Sequence, residues 1–322
     1  MTTAEILALL KKENDFISGE ELSRLLRVSR TAVWKAVKNL RSEGYVIEAL
    51  TNRGYRLADS SGVLNAEELR ALLKTAHIGR RMVFKSETDS TNADARRAYE
   101  SGAPHGSVFF AEKQRSGSGR MGRGWADAPG EGLAMSVLLR PEIAPGGAMQ
   151  VTLLAGLAVN AALNGLTGLP CKIKWPNDIF IGSKKVCGIL CTMSAETDRV
   201  HNIIAGIGIN VNNKAFPEEL RESATSLLLE SGKKYPRAAV AAGVLNEFEP
   251  LYDLFVRHGM TAATLDSYRQ SCMTLGKNIT AEYGREKITG RAEGISLAGE
   301  LLVSTKMGVR ALSGGEAHIL KS

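Results

Sequence analysis

The stretch CKIKWPNDIFIGSKKVCGILCTM, residues 171–193, decides the architecture. Pro176 restricts Trp175 to extended backbone, so no helix runs through the segment. DIFIG and KKVCGILCTM are rich in β-branched residues and meet at Gly182-Ser183, the pattern of a hairpin. That hairpin carries Lys174 and Lys185 on adjacent segments, and Cys187 and Cys191 fall on one strand face as packing residues. Downstream, NIIAGIGINVN (202–212) is a further strand supplying Asn210; its G-x-G lacks the third glycine of a dinucleotide-binding turn, which argues against a Rossmann reading.

Upstream lies AEKQRSGSGRMGRGWADAPGEGL (111–133), where glycines alternate with arginines and end near a single tryptophan. VFFAEKQ leads into it and GLAMSVLLRP leaves it, both strand-like. A flexible, cationic loop held between two strands is a candidate lid over an anion. Before that, ETDSTNADARRAYESG (87–102) puts Ser90, Thr91 and Asn92 at the start of a helix. There, hydroxyls and free N–H groups suit a small polar or anionic group, and the same residue types would serve as ordinary helix caps.

The first sixty residues have a different organisation. Thr2 with Glu5, and Ser18 with Glu21, are S/T-x-x-E capping boxes that open two helices. Ser29 caps a third, on which Ala32, Val33, Ala36, Val37 and Leu40 share one arc. The opposite arc carries Arg30, Thr31, Trp34, Lys35, Lys38 and Arg41. YVIEALTNRGYRL then forms a hairpin turning at Asn52-Arg53-Gly54. Helix, helix, basic helix, hairpin is the order of a winged helix-turn-helix, which predicts DNA contacts from Arg30, Thr31, Trp34, Lys38 and Arg41, with Arg53 at the wing tip. A polar linker is expected near 58–64. The last fifty residues alternate short β-rich runs with glycine turns, as in a small all-β barrel.

Composition sets the outer limits. The chain has 322 residues, 44% hydrophobic and 23% charged, with a formal net charge of +7 that favours anionic partners. Its four cysteines form no C-x-x-C pair, and no secretory signal is evident, so they read as reduced thiols in a cytoplasmic protein. No apolar run is expected to span a membrane. The five histidines are scattered, with no H-E-x-x-H, and no G-x-x-x-x-G-K-[ST] occurs.

DSTN, QRSGSGRMGRGW, KWPND, KKVCGIL and GIGINVN, in that order, resemble the biotin–protein ligases. With the winged helix in front, the resemblance to the bifunctional bacterial biotin ligase and biotin-operon repressor covers essentially the whole chain. It implies an α+β protein: a winged helix-turn-helix over 1–60, a catalytic domain of the class II aminoacyl-tRNA-synthetase-like type over 65–270, and an SH3-like β domain over 271–322. The implied reaction joins biotin to ATP as biotinyl-5′-AMP and passes the acyl group to a lysine of a biotin carboxyl carrier protein, with magnesium as cofactor.

By the same resemblance Ser90, Thr91, Asn92, Gln114, Ser118, Gly119, Arg120 and Lys185 would hold biotin. Arg123, Trp125 and Asn210 would lie on the nucleotide side. Lys185, Arg120 and Asp178 would carry the chemistry; metal ligands are not assigned. The implied partners are the carrier, operator DNA of inverted-repeat form and, when liganded, a second copy of the chain; no membrane is among them. Ser118 departs from the family, which often has a cation there; Arg115 is the nearby candidate to replace it. Two alternatives are a biotin-sensing repressor that catalyses weakly and a lipoate ligase relative; the winged helix and KWPND argue against the second.

Overall fold

A computed structural model describes residues 2–13, 15–60, 62–126, 128–197, 199–283 and 286–320. The first helices are α1 (Thr2–Lys12), α2 (Gly19–Leu26) and α3 (Arg30–Ser42), followed by β1 (Val46–Leu50) and β2 (Gly54–Asp59). Ser18 Oγ accepts from Glu21 N at 3.0 Å and Ser29 Oγ from Ala32 N at 3.1 Å, as the capping patterns require. The expected cap at Thr2 rests on a side chain outside those described, as does Ser61 within the expected linker. Ile6, Leu10, Leu22, Val33, Val37 and Leu40 close the small core. Asn52 and Gly54 turn the wing with φ of 65° and 102°. A Cβ on Gly54 would fall 2.1 Å from Ile17 O, because Ile17 and Tyr55 exchange backbone hydrogen bonds there.

The centre runs α4 (Ala66–Arg70), β3 (Met82–Thr88), α5 (Thr91–Glu100), β4 (Val108–Gln114), β5 (Leu133–Leu139), α6 (Ala148–Thr167), β6 (Cys171–Lys174), β7 (Asp178–Ile181), β8 (Lys184–Ala195), β9 (Val200–Ile209), α7 (Leu227–Ser231), α8 (Arg237–His258) and α9 (Ala262–Ser271). Strands β3 to β9 of this region form a seven-stranded sheet in the order β3-β4-β5-β9-β8-β7-β6, antiparallel except for β3 against β4. Every residue of β5 is buried, since helices cover both faces. Ala95 of α5 packs on Phe109, Leu138 and Ile204, whereas α6 and α8 contribute to the main core on the other side.

One expectation changes. Contrary to the expectation about apolar runs, Pro145–Thr167 is 23 residues long and apolar enough to cross a membrane by length and composition. Its apolarity has a local cause, because Val151, Leu154, Ala155, Ala158 and Val159 are buried against the sheet and α8. As expected, no helix runs through the segment: strand β6 stops at Lys174, and Trp175-Pro176-Asn177 is a turn with a cis Trp175–Pro176 peptide. The expected hairpin at Gly182-Ser183 follows it between β7 and β8.

The chain ends in an antiparallel sheet of β10 (Asn278–Tyr283), β11 (Glu286–Ile295), β12 (Leu301–Thr305), β13 (Gly308–Leu312) and β14 (Glu316–Ile319), in the order β13-β12-β11-β10-β14. Ile279, Ala292, Leu301 and Val303 join the main core. The Trp175 turn ties this sheet to the central sheet: the indole Nε1 donates to Gly299 O at 3.1 Å, and Trp175 N donates to Thr274 Oγ1 at 3.0 Å. Tyr268 Oη donates to Pro176 O at 3.1 Å from beneath.

Candidate active site

One cavity of about 440 Å³ opens between the start of α5, the glycine-rich loop, the ends of β6–β9 and the tip of β14. Ser90, Thr91, Asn92, Gln114, Ser118, Gly119, Arg120, Arg123, Trp125, Asp178, Lys185 and Asn210 all line it, although they span more than a hundred residues of sequence.

Its neutral polar end is built on α5 and β4. Ser90 is the N-cap by position, yet its side chain makes no capping hydrogen bond. Gln114 Oε1 accepts from Thr91 N at 3.0 Å and Thr91 Oγ1 at 3.2 Å. Ser136 Oγ, fully buried on β5, lies 2.7 Å from Thr91 Oγ1 and 2.6 Å from Asn92 Oδ1, and Asn92 Nδ2 donates to Leu190 O. Ser136 was not legible from the sequence, where it is one serine in an apolar strand.

The glycines of GIGIN have a structural purpose unrelated to a dinucleotide turn. A Cβ at Gly206 would fall 2.3 Å from Asn92 Oδ1, and one at Gly208 only 2.5 Å from Trp125 Cε2. Bare backbone at these two positions lets the amide and the indole lie flat on β9.

The other end is cationic. Lys185 Nζ pairs with Asp178 Oδ1 at 2.7 Å, and the lysine stands 6.0 Å from the centre of the Trp125 ring. Arg120 Nη1 donates to Asn177 Oδ1 at 3.1 Å, while Asn177 Nδ2 donates to Ile189 O, so the asparagine of KWPND aims the arginine. Burial lowers the Arg120 pKa, but a guanidinium stays charged. Burial likewise pulls Lys174 below the usual lysine range, opposed by the nearby carboxylates of Asp178 and Glu316. Arg123 forms a two-pronged pair with Glu316 of β14, at 2.8 Å and 2.6 Å. Burial would raise the Glu316 pKa, yet Arg123 outweighs it and the carboxyl sits below its ordinary value. Glu316 and Asn177 were missed by sequence reasoning.

The loop itself is folded as a compact turn: Trp125 N donates to Gly117 O at 2.8 Å and Gly119 N to Arg123 O at 2.6 Å. Ser118 Oγ donates to Ser116 O. Arg115 does not replace the absent cation, because its Nε pairs with Glu87 Oε1 at 2.8 Å on the outer side of β3. Asn210 is buried, and its Nδ2 donates to Thr225 O; it shapes the segment beside Lys185, whose N in turn donates to Ser223 O.

On the N-terminal domain, Thr31 and Lys38 are exposed, Trp34 is 54% exposed, and Lys38 Nζ stands 5.4 Å over the Trp34 ring. Arg30 pairs with Glu20 at 2.7 Å, both exposed. Arg53 pairs with Asp15 at 2.9 Å and lies over Phe16. Arg41 differs from the expectation of a free contact: its Nε and Nη2 both donate to Ile47 O, bracing the wing against α3.

Residues 84–210 match the Biotin/lipoate A/B protein ligase family, residues 2–56 an HTH domain, and residues 274–319 the Biotin protein ligase C terminal domain. The "Bifunctional ligase/repressor BirA" of Bacillus subtilis (strain 168) is 41% identical over 310 residues, 95% of this chain and 94% of the relative. The protein of the same description from Escherichia coli (strain K12) is 29% identical over 98% of this chain and 96% of its own length. Among solved structures, the biotin protein ligase from Aquifex aeolicus in complex with biotin and ATP is similar with a TM-score of 0.66 and 32% identity, over 76% of this chain and 100% of that one.

Proposed function

The chain belongs to the biotin protein ligase family, and from that premise we propose how its residues activate biotin, pass it on and couple the ligand to DNA. The carrying observation is a neutral polar recess at Thr91, Asn92 and Gln114 that opens directly onto Arg120, Lys174 and Lys185 in one cavity.

The recess takes the ureido and ring portion of biotin, and the chain directs the carboxylate toward the cations. A carboxylate oxygen attacks the α-phosphorus of ATP; pyrophosphate leaves, and biotinyl-5′-AMP remains. Two anions must meet in this step, so Lys185 and Arg120 neutralise charge that develops only as they converge. A carrier lysine then attacks the acyl carbon, an amide forms, and AMP departs. Asp178, which lines the same cavity beside Lys185, takes the proton of that amine in this reading. Trp125 and Arg123 serve the nucleotide, and the glycine-rich loop shields the mixed anhydride from water.

The described side chains do not fit a resident magnesium ion. Among the described residues no cluster of three or more His, Cys, Asp or Glu could hold one, and Asp178 and Glu316 are each paired with a cation. Magnesium belongs instead with the polyphosphate of ATP, as part of the substrate.

The N-terminal domain binds operator DNA, and the carrier is a biotin carboxyl carrier protein. We assign 1–60, 65–270 and 271–322 to the three functions, cytoplasmic residence to a chain whose four cysteines are free thiols, and ligand-driven pairing on an inverted repeat to two copies. Mass spectrometry of protein incubated with biotin, ATP and magnesium tests the enzyme. A complex carrying the mass of biotinyl-AMP is expected, and its absence would refute the ligase reading.

A further inference from the structure

Arg237, the first residue of α8, is only 2% exposed, yet all of its guanidinium N–H donors are used. Nε donates to Gly62 O at 3.0 Å, and Nη2 reaches the same carbonyl. Nη1 and Nη2 grip the carboxylate of Glu112 at 2.8 Å and 2.7 Å, and Nη1 also donates to Gly132 O at 2.9 Å. A buried arginine with this many directed bonds is costly to assemble and specific in what it holds.

It holds three segments. Glu112 is on β4, on the same strand face as Gln114 in the cavity. Its Oε2 accepts from Gly130 N at 2.9 Å, so the carboxylate joins the strand that enters the glycine-rich loop to the segment that leaves it. Gly62 belongs to the linker from the winged helix. Its neighbour Val63 is 2% exposed inside the winged-helix core, with Cγ2 placed 3.8 Å from where a Cβ of Gly44 would be, just past the end of α3. The path from loop to recognition helix is therefore continuous: Gly130 and Gly132, Glu112, Arg237, Gly62, Val63, Gly44.

We propose that Arg237 is a positioning residue that sets the recognition helix according to whether the glycine-rich loop is ordered over biotinyl-AMP. This rests on the ligase and DNA-binding reading above. Ligand that fixes the loop's exit fixes Gly130 and Gly132, and these share the carboxylate and guanidinium that hold Gly62. The ligand thus has different interaction energies with two arrangements of the linker, which is what coupling requires. The Asp59–Lys234 pair at 2.6 Å is a parallel tie from the wing to the segment before α8.

Hydrogen exchange on the full chain, with and without added biotinyl-AMP, reads the coupling directly. In wild type the amides of 62–66 and 44–45 should slow by about tenfold with ligand. The double variant Arg237→Met with Glu112→Met removes both charges, so neither is stranded in the interior. It should still make biotinyl-AMP, within about threefold of the wild-type rate, but lose that protection; Lys234→Ala should keep it. If the double variant fails to fold, Val63→Ala decides: protection should persist at Gly62 and vanish at Gly44 and Tyr45. Full ligand-dependent protection at 44–45 in either variant overturns the proposal, as does a wild-type linker indifferent to biotinyl-AMP. Native mass spectrometry on the same samples separates that failure from failure to bind the adenylate, which would overturn the ligase reading and the proposal together.

Discussion

The indole of Trp125 lies across Gly208 so closely that a methyl group on the glycine would sit 2.5 Å from Cε2. Overpacking of this size costs about 1–3 kcal/mol when neighbours must shift. The neighbour here is one loop side chain over the cavity, not the core. Gly208→Ala should therefore leave the melting temperature nearly unchanged while displacing the tryptophan. ATP affinity should fall about tenfold and biotin affinity much less, by calorimetric titration. An equal loss for both ligands would remove Trp125 from the nucleotide side.

Lys185→Ala should act on rate. The lysine meets charge that appears as carboxylate and α-phosphate converge, so kcat should fall on the order of a hundredfold, as when one preorganised donor is removed. Biotin binding should change only severalfold, because the ureido end is held elsewhere. Single-turnover adenylation followed by quench is the measurement, and a near wild-type rate excludes the assigned role.

The winged helix was legible almost residue by residue, because caps, helix periodicity and a wing turn at Asn52 and Gly54 are local signals. The cavity residues were legible through a pattern of motifs. What escaped were partners contributed by distant segments: Ser136 beneath Asn92, Asn177 aiming Arg120, and Glu316 arriving from the last strand to meet Arg123. A hydrogen bond across 193 positions leaves no periodicity to detect. Arg41 and Arg115 show the reverse case, where charge is visible but direction depends on Ile47 O and Glu87.

Glu316 should hold the glycine-rich loop closed through Arg123. Glu316→Gln should speed trypsin cleavage after Arg123, and biotin plus ATP should suppress cleavage at Arg120 and Arg123 in the wild type. The carboxyl pKa is depressed, so its stabilising contribution is complete above the unfolded value of about 4.3 and disappears as pH falls through the lower folded value. Acid titration of the ligand-free protein should show a transition in loop exchange on the acid side of the ordinary carboxyl range that Glu316→Gln removes. Identical cleavage in variant and wild type would leave the C-terminal strand without this role.

Lys38 and Arg41 share an arc of α3 but should fail differently on DNA. Lys38 is exposed over the Trp34 ring, free to meet a phosphate, so Lys38→Ala should reduce the slope of log affinity against log salt by about one unit. Arg41 spends its guanidinium on Ile47 O. Arg41→Ala should cost about 1 kcal/mol of winged-helix stability, the net worth of a typical hydrogen bond at an exposed residue, and weaken binding through a loosened wing. Its salt slope should stay near that of wild type. Titrations of an inverted-repeat duplex at several salt concentrations, with and without biotinyl-AMP, distinguish the two. Equal slope losses would return Arg41 to the phosphate-contacting set. Affinity that ignores the adenylate would mean that the winged helix does not answer to the catalytic site.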